Sequence, residues 1–447
     1  MEKRTVTSFF DKEYLEYAKY VVENRAIPHC IDGLKPTQRK VIFVANKIWK
    51  NGSEKPMKLF QLAGRVAAEA YYHHGNTSLE SSMVGMAQRF KNSLPLLDGV
   101  GQFGSLRSPS AGAPRYISAK LHPNFRLIYQ DFELLNNKIE EGVEIEPDFF
   151  LPIVPTVILN GTSGIAVGFA TNILNRNPKD VVEACLAVLK DKKIKTLSPW
   201  ISEFKGTFTR DPGNPNTWKI SGSYEVINST TVKITEIPPS FTYERYEEWL
   251  NTLVEKKIIV DYEDNSADKI EYLLKFQRAI LKDYASKAKL DNLLKIHSQE
   301  TENLTTIDET GKLKIFDKAE DIVTHFVGVR LEFYHKRKAY LLDKLGRELL
   351  IISNKARFIK EIIDGKLKVN NVARDVIVKY LDDNKYDKVD GSYTYLLSMA
   401  IYSLTKERFE ELLKQKSDKE IEVEAIKKTD PKDMYINDLE QLKKSLS

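Results

Sequence analysis

The chain has 447 residues, 42% of them hydrophobic, 10% aromatic and 29% charged, the balance of a globular protein with two to four separately cored parts. No apolar run approaches the roughly 18 residues of a membrane span, the N-terminus MEKRTVTSFFDKEYLEY builds no signal-peptide core, and two cysteines, Cys30 and Cys185, argue against a disulfide framework or a zinc site and fit a reducing compartment. The net charge of +5 is uneven: residues 1–130 hold 19 Lys and Arg against 10 Asp and Glu, and the remaining 317 hold 49 against 53, so the basic first third points to a polyanion, nucleic acid first, or to a merely solvated face.

Residues 11–24 place Tyr14, Leu15, Ala18, Val21 and Val22 at helical spacing. Gly33 and Pro36 punctuate, TQRKVIFVANKIW predicts a second helix, and 57–70 and 77–90 predict a third and fourth. Short helices with tight turns and basic ends fit a helix-turn-helix or winged-helix DNA reader, and equally a plain helical bundle. From about residue 150 the texture becomes β-branched and glycine-punctuated, and GTFTRD, WKISGSYEVI and TVKITEIPP alternate as strands do. Residues 145–315 therefore read as mixed α/β, with a helix at 242–257 and a charged helical stretch around 275–297.

Near Asp317 the period changes again. Ile322, Phe326, Val329 and Phe333 step by four and three, and beyond a basic centre (Lys336, Arg337, Lys338) the seam resumes from Leu341 to Ile363. A proline-free run of this length predicts a helix of about 65 Å, suited to a coiled-coil arm. A second helix at 404–426 is expected to run back along it antiparallel, with 366–403 as a small unit at the tip. An arm ending in a knob is an assembly device, so a homodimer contact is expected there.

Several segments then point one way together. YAKYVVENRAIPHCIDGLKPTQRKVIF (17–43), AYYHHGNTSLESSMVGMAQRF (70–90), DGVGQFGSLRSPSAGAPRY (98–116) and LPIVPTVILNGTSGIAVGFATNI (151–173) occur in this order. They closely resemble the DNA breakage–reunion subunit of type IIA DNA topoisomerases, and YTYLLSMAIYSLTKERFEELLKQK (393–416) resembles the tip and return helix of that family's dimer gate. The likeness runs from about residue 10 to 440. A separate short subunit with eukaryotic-like YHHG and GQFG resembles most the T-even bacteriophage branch, which implies work on DNA in the cytoplasm of a bacterial host. The resemblance implies an α+β multidomain fold: a winged-helix (helix-turn-helix) DNA-binding and cleavage domain over 1–144, an α/β tower over 145–316, a coiled-coil arm from 317–365 and 404–440, and a dimerisation domain at 366–403.

It also implies roles. Tyr116 attacks a DNA phosphodiester, leaving a 5′-phosphotyrosyl link and a free 3′-hydroxyl, and Arg115 offsets the developing phosphorane charge. Arg25 reaches the same centre, and His74 hydrogen-bonds the scissile phosphate or 3′-oxygen, with His73 beside it on DNA. Lys35, Arg39 and Lys40 grip phosphates, and Gln102 and Ser105 contact DNA from a turn shaped by Gly101 and Gly104. Ile165 wedges between base pairs and bends the duplex. Arg107, in the approach to Tyr116, is either a loop stiffener or a further DNA contact. The chain carries neither a Gly-rich ATP fingerprint nor a glutamate-plus-DxD cluster, so ATP hydrolysis and the Mg2+-binding (TOPRIM) module are expected on partner subunits, with no metal held by this chain. No C-terminal DNA-wrapping extension follows the return helix, so relaxation and decatenation are expected rather than supercoiling.

Overall fold

The computed structural model describes residues 10–50, 55–267, 269–284 and 286–446, so the N-terminal stretch read above for a leader lies largely outside the described residues. Two compact units are present: residues up to Arg330 with 438–447, and Leu331–Asn437.

In the first unit, helix α1 (Pro36–Ile48) begins with proline at its first turn, where the missing amide hydrogen costs nothing, and the Gln38 side chain accepts from the Lys35 amide. Helices α2 (Leu59–Glu69) and α3 (Asn76–Ala87) follow. Each turns one apolar row inward: Val41, Ile42, Val44 and Ala45; Leu59, Leu62, Ala63 and Val66; Leu79, Met83 and Met86. Burying each large side chain contributes about 1.5–3 kcal/mol. Against these helices lies a three-stranded antiparallel sheet of β1 (Met57–Lys58), β2 (Leu97–Val100) and β3 (Ser118–Leu121), with β3 in the middle. The loop joining β2 to β3 carries residues 101–117. Gly33 turns the chain into α1 at φ +65°, and a Cβ there would stand 2.5 Å from the Val157 amide nitrogen, so the turn tolerates no side chain.

Further along the same unit, strands Ser223–Asn228, Thr231–Glu236, Tyr272–Lys275 and Asp261–Asp264 form a four-stranded antiparallel sheet in that spatial order. It buries Val232, Ile234 and Leu274 with Tyr246, Leu250 and Leu253 of helix Tyr243–Glu255. The stretch around 275–297, expected to be helical, is instead the end of a strand, two short helices (Arg278–Asp283 and Lys287–Leu293) and a strand starting at His297. Asp291 explains the break: its carboxylate accepts from Tyr224 Oη (2.8 Å) and meets His297 Nε2 (2.9 Å), which ties the segment to the sheet rather than to a helix axis.

His29, at the turn before α1, is 9% exposed and stacks on Phe149 at 4.6 Å. Burial, opposed by Asp32, pushes its pKa down to about 4. The unfolded chain, with histidine near 6.5, then binds a proton that the folded chain excludes, so stability is lost as pH falls from about 6.5 towards 4, by up to about 3 kcal/mol. A His29→Gln chain is expected to lose less thermal stability than the parent over that window, as scanning calorimetry would show.

The second unit contains most of helix α4 (Ala319–Ile363), 45 residues and about 65 Å long, and helix α5 (Lys406–Lys428). Lys338 Nζ donates to the carbonyls of Lys427 and Thr429, Lys419 pairs with Glu348 at 2.8 Å, and Leu412 packs with Ala356 and Ile359. Residue numbers fall along α5 as they rise along α4, so the pair is antiparallel. Beyond it, Leu367, Ile377, Leu381, Tyr386, Tyr393 and Leu396 close a small core of their own with Phe358.

Candidate active site

The loop 101–117 is held by hydrogen bonds along its length. Gly101 and Gly104 adopt φ +112° and +79°, Gly112 N donates to the Gln102 carbonyl (2.9 Å), and Gln88 Nε2 reaches the carbonyls of Phe103 and Pro109. Ser105 takes part in the turn itself: its Oγ accepts from the Ser108 amide at 3.2 Å. Gln102 remains exposed. Arg107 is 7% exposed, and its guanidinium meets Glu236 Oε1 at 2.6 Å and the carbonyls of Ile237, Pro238 and Phe241. Of the two uses left open for Arg107, this is the structural one. Burial outweighs the attraction of Glu236 and lowers its pKa somewhat.

The loop ends in a turn closed by Tyr116 N–H to the Ala113 carbonyl (2.8 Å). Tyr116 is 72% exposed, and its hydroxyl has no hydrogen-bond partner among the described residues. The Arg115 guanidinium stands 5.8 Å from the Tyr116 ring centre and makes no ion pair among the described residues. Lys58 Nζ donates to the Tyr116 carbonyl at 2.7 Å. The groups recorded around this phenol are therefore cations and backbone amides. They suit an anion and do not fit a cage for a hard divalent cation, which needs carboxylate and carbonyl oxygens.

Arg25 lies in a π-helical turn (Val22–Ala26), exposed and without an ion pair among the described residues. His74 is brought to the preceding helix (Leu15–Val21), where Tyr20 Oη and His74 Nε2 are 2.9 Å apart and Tyr72 flanks the ring edge-on at 5.4 Å. His73 turns elsewhere, to Glu140 Oε1 at 2.9 Å. Lys40 joins that second group, donating to Glu146 Oε2 (3.1 Å) and to the Ala70 carbonyl, with Glu140 4.0 Å away. No hydrogen bond or ion pair among the described residues links Tyr116 to Arg25 or His74.

Ile165, 88% exposed, stands at the end of strand β4 (Thr162–Ile165), which pairs with β5 (Ala170–Ile173) as a hairpin. Lys35 is bound at its root: Nζ donates to the Ser163 carbonyl at 2.6 Å. Gly164 lies so close to the Arg25 segment that a Cβ would fall 2.2 Å from the Ala26 carbonyl. Arg39 requires a correction. It is 3% exposed and forks onto the fully buried Asp32 (Nε–Oδ2 2.7 Å, Nη2–Oδ1 3.0 Å), so its charge is neutralised inside the fold and is not presented to phosphates. Cys30, Glu309 and His325 bring potential ligand atoms within 4.8 Å of one another. However, His325 Nδ1 faces the Lys314 ammonium at 3.0 Å, whereas a metal-bound imidazole presents its second N–H to an acceptor, so the cluster does not suit a metal.

The family model that describes the A-type polypeptide of DNA gyrase and topoisomerase IV matches residues 25–441. The chain belongs to that family. It is 34% identical to the DNA topoisomerase medium subunit of Enterobacteria phage T4, over 99% of this chain and 100% of that one. It is also 34% identical to the mitochondrial DNA topoisomerase 2 of Dictyostelium discoideum, over 99% of this chain and 35% of that protein. The chain thus spans about a third of the length of the DNA topoisomerase 2 relatives it matches. A crystal structure of the DNA-binding, cleavage and re-ligation domain of Plasmodium falciparum topoisomerase II superposes with a TM-score of 0.87 at 33% identity, covering 98% of this chain and 64% of that one.

For a member of the gyrase/topoisomerase IV family, sequence reading missed three side chains at the site. Tyr20 meets His74, Glu140 bridges His73 and Lys40, and Lys58 meets the Tyr116 carbonyl. Tyr20 and Glu140 carry no spacing signal, because their partners lie 54 and 67 residues away. Lys58 bonds a main-chain atom, and a carbonyl leaves no mark on the identity of the residue that owns it.

Proposed function

We propose that this chain is the DNA breakage–reunion subunit of an ATP-dependent type II DNA topoisomerase, relaxing and decatenating DNA by passing one duplex through a transient break in another. The observation that carries the reading is Tyr116: an exposed phenol on a braced loop, beside an arginine that no carboxylate neutralises. The Tyr116 oxygen attacks phosphorus, the bond to the 3′-oxygen breaks, the phenolic proton leaves and the departing oxygen takes one up as a 3′-hydroxyl. The phosphodiester energy is kept in the 5′-phosphotyrosyl link, so resealing is the same step reversed. Transfer at phosphorus depends on positioning and charge, which Arg115 and Arg25 supply, with His74 hydrogen-bonding the phosphate or 3′-oxygen.

In this reading the three helices and the sheet β1–β3 form a winged-helix domain and the following sheets a tower. Helices α4 and α5 form a coiled-coil arm, and the small core beyond them is a dimer gate that supplies a second Tyr116 for the opposite strand. Lys35, Lys40, His73, Gln102 and Ser105 line the path of the duplex, and Ile165 bends it. Mg2+ is held by a TOPRIM-bearing partner and ATP is hydrolysed by an ATPase partner, in a complex working in the host cytoplasm. Among the described residues no helix is long and apolar enough to cross a membrane.

The test is to quench the assembled complex on supercoiled DNA with detergent and map the adduct by mass spectrometry. DNA linked through its 5′ ends to Tyr116 is the expected result. Linkage at 3′ ends, attachment to another residue, or binding with no adduct at all would overturn the reading; the last outcome marks an architectural DNA-binding dimer.

A further inference from the structure

Lys58 is the last residue of β1 and directly precedes α2, whose first turn has no side-chain cap. The first amide hydrogens of a helix need acceptors, and here the loop bearing Tyr116 provides them. Leu59 N donates to the Ile117 carbonyl (3.2 Å), Phe60 N to the Pro114 carbonyl (3.4 Å) and Lys58 Nζ to the Tyr116 carbonyl (2.7 Å). Pairing of Lys58 with Ser118 across β1 and β3 sets this register. Three carbonyls within four residues are thus held from one element, while the Tyr116 amide is turned back onto Ala113. The main chain of Tyr116 is fixed on both sides, and only its phenol is left in solvent.

Of the three donors, Lys58 alone is a side chain and alone carries a charge. It is exposed and makes no ion pair among the described residues, and a carbonyl does not neutralise an ammonium. We infer that Lys58 is a positioning residue for Tyr116: it sets the carbonyl of the nucleophile's own residue, and so the direction of the phenol, and leaves an unpaired positive charge beside it. The inference rests on Tyr116 being the nucleophile. Misplacing a reacting atom by about 1 Å costs on the order of 100-fold in rate, so a single main-chain anchor is enough to matter.

The experiment uses the complex assembled with its partner subunits and a saturating DNA duplex, read as single-turnover cleavage. Lys58→Met, which keeps the length of the side chain and removes the donor, is expected to cleave about 30- to 100-fold more slowly. Its DNA affinity and the salt dependence of that affinity should match the parent. Lys58→Arg, which can still donate, should recover most of the rate. The loss in Lys58→Met should shrink as pH rises, because the missing cation no longer favours the phenolate. Since Lys58 is exposed, neither variant buries an unpaired group, and equal melting curves establish that both fold. Parental cleavage by Lys58→Met at saturation would overturn the inference. So would a weakened affinity with a shallower salt slope and an unchanged saturated rate, which is the behaviour of a phosphate anchor. Adduct mapping on the parent separates the two levels: an adduct away from Tyr116 sinks the underlying reading, whereas an adduct on Tyr116 with a normal Lys58→Met sinks this inference alone.

Discussion

With Tyr116 replaced by phenylalanine, the assembled complex will bind duplex DNA as the parent does and form no covalent adduct. The phenol is 72% exposed and its hydroxyl has no partner among the described residues, so removing it strands no buried donor or acceptor. Stability should move by less than about 0.5 kcal/mol. The ring and main chain stay, including the Lys58 contact to the carbonyl, so the loop keeps its shape. Only the attacking oxygen is lost, and removing a nucleophile outright typically lowers a rate by about 10^6-fold. Gel mobility shift and detergent-quenched cleavage, run side by side, check both halves. Residual cleavage within about 10-fold of the parent would transfer the nucleophile to another residue.

Arg39→Met will unfold the first unit far more readily, at a cost of about 3–5 kcal/mol, because it leaves the Asp32 carboxylate buried without its cation. Asp32 is fully buried and accepts from Arg39 Nε and Nη2 and from the amides of Leu34 and Phe150, the latter two at 3.0 Å. Its own carbonyl takes the hydroxyls of Thr156 (2.6 Å) and Tyr129 (3.0 Å). The pair therefore joins the turn at Gly33, the start of α1 and the chain around Phe150. A fall in melting temperature of roughly 10 °C is expected by calorimetry. Asp32→Asn combined with Arg39→Met should cost less than the two single changes summed, since the stranded charge is gone. A phosphate contact would behave in the opposite way, with near-parental stability and a salt slope of DNA binding reduced by about one.

Arg39 also shows where reading a sequence stops. The helix carrying it was legible, because Pro36 marks its start and Val41, Ile42, Val44 and Ala45 give it an inner face. A basic residue near a helix start reads as solvated, however, and its partner lies seven residues back across a left-handed glycine turn, at no helical spacing. The long α4 was legible from its seam, and the short helices near 280 and 290 were not, because Asp291 is turned to Tyr224 and His297 by contacts across 67 and 6 residues. Tyr116, Arg115, Arg25, His74 and Ile165 stood out through family likeness rather than through any periodicity. What the likeness could not supply was their wiring: Tyr20 to His74, Glu140 to His73, Lys35 to the hairpin of Ile165.

Arg107 has a consequence for how a severed strand would travel. Its fork onto Glu236, Ile237, Pro238 and Phe241 is reinforced by Leu106 N–H to Glu203 and Tyr243 N–H to the Arg107 carbonyl. A DNA end joined to Tyr116 is then attached through a braced loop to the body that holds those residues, and not to a slack tether. Torque on the duplex would load that body as a lever, and the cut end would swing with it as one piece. The broken phosphate and its hydroxyl would part and meet along the same track, so fidelity of rejoining is built into the stiffness of the mount.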